Sequence, residues 1–574
     1  MLLVASACRS SAPASLGAAP APSGDGSFAA LRDRVIDELF DRNPQTAVGL
    51  GLHGYDGRVS EWSPEAIEAR LAWLRSSRAA LEAVPAAGLS QVARAERATL
   101  IQVLAKELFP IESQRLPWRS PIFYLRGLNL DAYVVREYAP VAVRAKAVIA
   151  YSAGARQLLA DARANLSGPI PRPWVDLGML ISGGAVDFVT KDVREVFLGA
   201  GGVEDPALRR DVEAALAAHA ADLRAFNEFL AGKREGATSD FALGGELYVK
   251  GLAEIEGLVI DLETLQRAAE EATARNLAAL AEAAREIDPK KTVAEVVAEV
   301  MADRPDPASV LDMATRQVAD ARLFLQTHPV VSIPSEEVAQ VRRTPPFMRF
   351  NPAFLNGPGP FETASLPAFY YVSPPDPKWP PEQQKSYLQP RNVLLFTSVH
   401  EVWPGHFLQE LYLKRQPSRV LKAFCSYANV EGWGLYAEQA MWEAGFHAGE
   451  PKAHVGQLLS ALMRDVRFLV ALGMHTRGMT VEEATRLFQE KAFMPLSAAR
   501  QQAVRGTMDP YYSSYTLGKL MIEKLRDDWK AKLEADGKGK DWSLQAFHET
   551  FLGQGCQAVP VIREAMVGPG GPAL

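Results

Sequence analysis

From Phe28 onward the apolar residues recur with the period of an α-helix, and only the stretch 328–392 breaks that pattern. In FAALRDRVIDELF, Phe28, Leu31, Val35 and Leu39 fall on one stripe, the spacing that buries one face of a helix. Segments at about 130–165, 205–233 and 262–287 are rich in Ala, Leu, Glu and Arg, all strong helix formers. Start signals agree with this reading. Ser63 before Pro64 and Asp306 before Pro307 place a cap ahead of proline in a first turn, while Thr292 with Glu295 and Thr480 with Glu483 form capping boxes. The stretch 328–392 cannot be continuous helix, because its prolines remove donors and restrict the residue before them. Inside it, PAFYYVS is short, aromatic and bounded by breakers, which predicts an exposed strand or extended segment. The expected fold class is mainly α, a large multi-helix body with one small β or extended element.

At 574 residues, 48% of them hydrophobic, the chain can bury a sizeable interior. The expected division is 1–26 as a signal remnant and flexible tether, 27–325 as an N-terminal helical region and 326–574 as a C-terminal region carrying the chemistry, the last two able to pack as one body. Lys and Arg number 62 against 68 Asp and Glu, with no basic run interleaved with aromatics, so nucleic acid is not an expected partner. No apolar run reaches the roughly 18 to 20 residues of a membrane-spanning helix. The opening MLLVASACRSSAPASLGAAPAPSGDGS resembles the end of a bacterial lipoprotein signal, with Ala5, Ser6 and Ala7 ahead of a Cys8 to be lipidated. This predicts a lipid-anchored protein of the periplasm or outer membrane. Cys425 and Cys556 are too isolated for a disulfide framework, and Cys425 reads as a plain buried residue.

The chemistry concentrates in NVLLFTSVHEVWPGHFLQELYL, a buried helix that should be interrupted at Pro404. A regular helix turns about 100° per residue, so side chains four apart coincide and side chains six apart diverge by about 120°. His400 and His406 could not meet on such a helix. Pro404 lacks the N–H that would bond back to His400, and Gly405 can adopt angles other residues avoid, so the turn is expected to widen and bring both imidazoles under one ion. Twenty-five residues after His406, EGWGLYAEQAMWEAG places Glu431 and Glu438 seven apart on one helix face. Carboxylates in such apolar surroundings need a partner. Two histidines and one carboxylate with an open fourth position is the arrangement of a catalytic zinc site.

The pair of motifs, His-Glu-x-x-Pro-Gly-His and Glu-Gly-Trp-x-Leu-Tyr-x-Glu, resembles the signature of the bacterial family known as domain of unknown function 885, whose members resemble gluzincin metallopeptidases. The likeness runs over nearly all the chain after the tether, with weaker matches at ALGGELYVKGL, LGMHTRGMTVEEA and YTLGKLMIEKLR. It implies a gluzincin-like catalytic region in which one zinc ion is held by His400, His406 and Glu431, and Glu401 acts as general base. Glu438 would orient a ligand imidazole; the alternative is a surface carboxylate. Tyr515 and His475 lie in the weaker matches and are candidate donors to an oxyanion. Tyr511 and Tyr512 compete with Tyr515, and His475 reads equally as a buried, hydrogen-bonded histidine. Arg505 could bind a substrate carboxylate, and PAFYYVS, with Tyr371, could pair its edge with an extended peptide. The expected activity is zinc-dependent hydrolysis of short peptides, as a carboxypeptidase or dipeptidase. Its rivals are an amidase acting on a modified amino acid or small natural product, and an inactive lipid-anchored binding protein.

Overall fold

The computed structural model describes residues 23–574 apart from 129, 346–347, 349–351 and 377. Cys8 and the rest of residues 1–22, which hold most of the lipoprotein-like opening, fall outside the described residues. The first helix, Ser23–Arg42, starts ahead of the Phe28 stripe, inside the stretch expected to be tether. Most start signals operate as the sequence predicts. Ser63 accepts from the Ala66 N–H, and both capping boxes form, Thr292 with Glu295 and Thr480 with Glu483. The Asp306–Pro307 signal differs. Ser309 N–H bonds to the Asp306 carbonyl in a separate turn, and the helix proper is Val310–Thr327.

Helices Val141–Asn165, Arg172–Asp187 and Pro206–Lys233 enclose a first core around Tyr151, Trp174 and Phe226. A second core joins helices Ser23–Arg42, Pro64–Glu82 and Gln91–Glu112 to Val420 and Leu421 from much later in the chain. The largest core runs from Tyr248 to Met566, so residues on both sides of position 325 share it. No helix among the described residues is long and apolar enough to cross a membrane.

Five helices of this largest body position the site. The first ligand helix, Arg391–Glu401, packs against Val310–Thr327 and against Pro451–Thr476, here the arginine helix. The second ligand helix is His406–Lys414. The glutamate helix, Tyr427–Glu443, lies against the tyrosine helix, Ser514–Ala535. Those two approach so closely that a Cβ on Gly432 would stand 2.5 Å from the Gly518 backbone.

The only sheet among the described residues has three strands, β1 (Ala339–Arg343), β2 (Ala353–Asn356) and β3 (Ala368–Val372), ordered β1-β3-β2. β1 runs parallel and β2 antiparallel to β3, with Leu355 opposite Tyr370. This corrects the expectation for PAFYYVS. It is a strand, but a central one with both edges paired and with Tyr370 and Tyr371 buried, so it offers no edge to a peptide. The outer edges belong to β1 and β2. The Tyr370 hydroxyl shares a 3.1 Å hydrogen bond with Ser398, which ties the sheet to the first ligand helix.

Cys425 and Cys556 form a disulfide across 131 residues of chain, with Cα atoms 4.7 Å apart, which corrects the reading of Cys425 as a plain buried residue. Next to it the Ser426 N–H donates to the Cys556 carbonyl at 2.8 Å. Closing so long a loop removes unfolded-state entropy, so Cys556→Ser is expected to lower unfolding free energy by roughly 2 to 4 kcal/mol. Urea titration with and without reductant checks this: reduced wild type should superpose on the oxidised variant.

Candidate metal centre

The first ligand helix ends at Glu401, and Val402 leaves helical geometry with φ −120° and ψ −73°. The Trp403–Pro404 peptide is cis, and His406 is the first residue of the next helix. The helix is therefore not widened by a bulge, as the sequence suggested, but broken and restarted. The Gly405 N–H turns back onto the Val399 carbonyl at 3.0 Å, and a Cβ on Gly405 would overlap the His400 carbonyl. The buried Trp433 indole donates to the Pro404 carbonyl at 2.9 Å, so the corner is held from the glutamate helix.

The break brings the imidazoles together. Their ring centres lie 4.6 Å apart and nearly perpendicular. Glu431 Oε2 sits 3.4 Å from His400 Nε2 and 3.5 Å from His406 Nε2, and one potential ligand atom from each residue lies within 4.8 Å of the others. Gly434 makes room: a Cβ there would stand 2.6 Å from the His400 ring. Glu438 is fully buried, not a surface carboxylate, and its Oε1 accepts from His400 Nδ1 at 2.8 Å. A carboxylate is only an acceptor, so this bond puts a proton on Nδ1, and Nε2, which faces Glu431 and His406, is the nitrogen left to bind a metal ion once its own proton is displaced. Two imidazole nitrogens and a carboxylate form a donor set that fits zinc.

The charges at the cluster are strongly coupled. Burial acts to raise the Glu431 carboxyl, but the bonds from His400 and His406 outweigh it and hold the group well below the ordinary carboxylate range. Burial acts against protonation of His400, yet its bonds to Glu431 and Glu438 prevail and raise the imidazole to about 9. Glu401 is half-buried, and its Oε2 accepts from the Leu355 N–H of β2 at 2.8 Å. A cavity of about 380 Å³ opens beside the cluster, lined among others by His406, Glu431, Leu355 and Glu410. Burial pushes Glu410 up to about 7, against the opposing charges of His406 and Arg136.

The remaining candidates divide. Tyr515 is at the cluster, its ring stacked 6.4 Å from that of His400, and burial together with the Glu431 charge raises its phenol. Arg505 lies behind it, bonded to Asp509 at 3.0 Å and to the Tyr427 hydroxyl at 2.9 Å. His475 is elsewhere. Its Nε2 donates to the Gly506 carbonyl at 2.8 Å, its ring packs against Phe241 and Tyr248, and burial lowers it to about 4, so it is a neutral core histidine and not an oxyanion donor. Tyr371 faces Phe354 and Phe369, and the Tyr511 hydroxyl bonds to the Tyr248 carbonyl; neither contact belongs to the cluster. The sequence reading missed Glu410, Tyr427, Arg464 and Arg467. Only Glu410 carries a local signal, standing one helical turn after His406 on the same face.

Fold and site define a mainly helical protein with a two-histidine, one-glutamate candidate metal centre at a helix break. The chain belongs to the family described as bacterial protein of unknown function (DUF885), whose sequence pattern matches residues 44–566. Its fold resembles that of a protein of unknown function from Shewanella oneidensis, provisionally described as a lipoprotein, at TM-score 0.77 and 24% identity over 94% of this chain and 99% of that one. A second protein provisionally described as a lipoprotein, from Colwellia psychrerythraea, matches at TM-score 0.76 and 17% identity over 95% and 99%. At these identities the likeness is one of fold. Among curated proteins no sequence matches at a significant level.

The histidines give the metal-free protein a two-armed pH dependence. His400 is raised to about 9, so its contribution is complete below about 6.5 and is lost as pH rises through 9. Burial lowers His219, His475 and His548 to about 4 each, so between 6.5 and 4 the unfolded chain takes up protons the folded one refuses, and stability falls as the pH is lowered. Urea midpoints of chelator-treated protein are expected to peak near pH 6.5, and His400→Ala to flatten the alkaline arm alone.

Proposed function

We propose that this chain is a zinc-dependent hydrolase of gluzincin type that cleaves peptide bonds in short peptides. The observation that carries the reading is the convergence of His400, His406 and Glu431 on one point, with Glu401 beside them. These three residues would hold the ion, which when bound supplies Lewis acidity and brings the pKa of water at the site toward about 7.

The protein's own groups then have separable tasks. Glu401, anchored by the Leu355 N–H, takes a proton from the attacking water and returns it to the leaving amine. Its position at the last turn of the first ligand helix keeps it next to His400. The Tyr515 phenol, raised by burial, stays protonated at neutral pH and donates to the developing oxyanion. Glu438 fixes the tautomer and tilt of His400. The outer edge of β2, which adjoins Glu401 at Leu355, brings an extended peptide laid along it next to the base.

The reading extends to location, an exported protein of the bacterial cell envelope anchored through a lipidated Cys8. A disulfide persists in oxidising compartments, and the Cys425–Cys556 bond supports export.

Elemental analysis of purified protein should find one zinc per chain in wild type and none in His406→Ala. Glu401→Gln should retain the metal and lose roughly 10²- to 10⁴-fold in hydrolysis of a peptide library. Glu438→Gln should weaken zinc affinity about 10- to 100-fold in a chelator competition. A wild type that binds no metal would overturn the proposal.

A further inference from the structure

Behind Tyr515 the structure gathers three guanidinium groups. Arg464 and Arg467, one turn apart on the arginine helix, and Arg505 of helix Leu496–Met508 place their Cζ atoms 5.7, 4.8 and 6.0 Å from the centre of the Tyr515 ring. That ring in turn stacks 6.4 Å from His400. The neighbouring negative charge is already committed. Asp509 accepts from Arg505 Nε and Nη2 at 3.2 and 3.0 Å. Glu438 bonds to His400 and stands 3.9 Å from Arg464.

Arg467 has no such partner. Its one hydrogen bond among the described residues runs from Nε to Gln502 at 2.9 Å, although the residue is only 6% exposed. Burial, and then the charge of Arg505, lower its affinity for its own proton. An arginine stripped of water, set among like charges and left without a carboxylate is costly to keep. The cost falls when an anion enters, since a guanidinium fork matches a carboxylate through two parallel hydrogen bonds.

We infer that Arg467, flanked by Arg464 and Arg505, is the subsite that receives the free terminal carboxylate of the substrate. The substrate class is then a peptide with an unblocked C-terminus, trimmed from that end. The two steps through the Tyr515 ring separate Arg467 from His400 by no more than an extended peptide of about three residues spans, so the cut falls one to three residues from the carboxylate. This assignment rests on the hydrolase reading above, and it moves the carboxylate from Arg505, which Asp509 already satisfies, to Arg467.

Two assays separate the fate of the subsite from that of the hydrolase. In the first, zinc-loaded wild type is given peptide pairs identical except for a C-terminal carboxylate or amide. The free acid is expected to be cleaved with kcat/KM at least about tenfold higher. Arg467→Gln should raise KM for the acid about 10- to 100-fold and shrink the acid-to-amide ratio toward one. In the second, N-acetylglycine and its amide are added to chelator-treated protein, with Tm as the readout and no turnover involved. The acid should stabilise wild type and not Arg467→Gln. Stabilisation by the acid without cleavage of any peptide supports the subsite and removes the peptidase. Equal treatment of acid and amide by wild type overturns the subsite while leaving hydrolysis intact, and that comparison stands even if the variant does not fold.

Discussion

The carbonyl of His400 lies so close to the Cα of Gly405 that only a residue without a side chain fits there, and the positions of both imidazoles follow from that contact. Because the chain folds back at Pro404 and Gly405, the first histidine occupies the last turn of one helix and the second the first turn of the next. His406 thus starts a helix, and its imidazole reaches Glu431 from that first turn. The glutamate helix is fitted to the corner at two consecutive residues. Trp433 bonds to the Pro404 carbonyl, and Gly434 leaves the space that the His400 ring fills. A bulkier residue at either glycine would push the imidazoles off a shared point without touching the ligands themselves.

Much of this was legible in the sequence, because it is local. The HEVWPGH spacing demanded a departure from regular helix, and the seven-residue interval between Glu431 and Glu438 put both on one face, where one meets the imidazoles across Nε2 and the other holds Nδ1. The form of the departure was not legible, since a broken and a widened helix satisfy the same spacing. What depends on distant segments was missed or misplaced. Strand β3 is central because β1 and β2, both earlier in the chain, pair with its two edges, a pairing that its own residues do not encode. His475 shares its helix with Arg464 and Arg467, but it falls where Phe241 and Tyr248 pack and not at the cluster. The arginines looked like ordinary members of an amphipathic helix, and only the meeting of three helices at Tyr515 makes them a group.

The site is arranged as two regions of opposite sign with one aromatic ring between them. On one side Glu431 and Glu438 contact the two imidazoles, and on the other three guanidinium groups gather with Asp509 bonded to Arg505 alone. Tyr515 contacts both, His400 through its stacked ring and the arginines through its π face. The ring keeps the arginines from neutralising the glutamates directly, apart from the 3.9 Å approach of Arg464 to Glu438. Each region therefore keeps free charge to offer, one lone pairs for a cation and the other N–H donors for an anion.

The disulfide adds a topological property. Cys425 immediately precedes the cap of the glutamate helix, so the covalent ring it closes with Cys556 contains Glu431, Glu438, all three arginines and Tyr515. His400, Glu401 and His406 lie just upstream of that ring. The metal cluster is thus a junction between a closed loop of chain, carrying one ligand and the whole anion-facing wall, and an open strand carrying the two histidines and the base. Oxidation locks the loop's circumference without constraining the open segment, whose two ligands are held to the loop by noncovalent contacts, among them those of Trp433, Gly434 and Glu438.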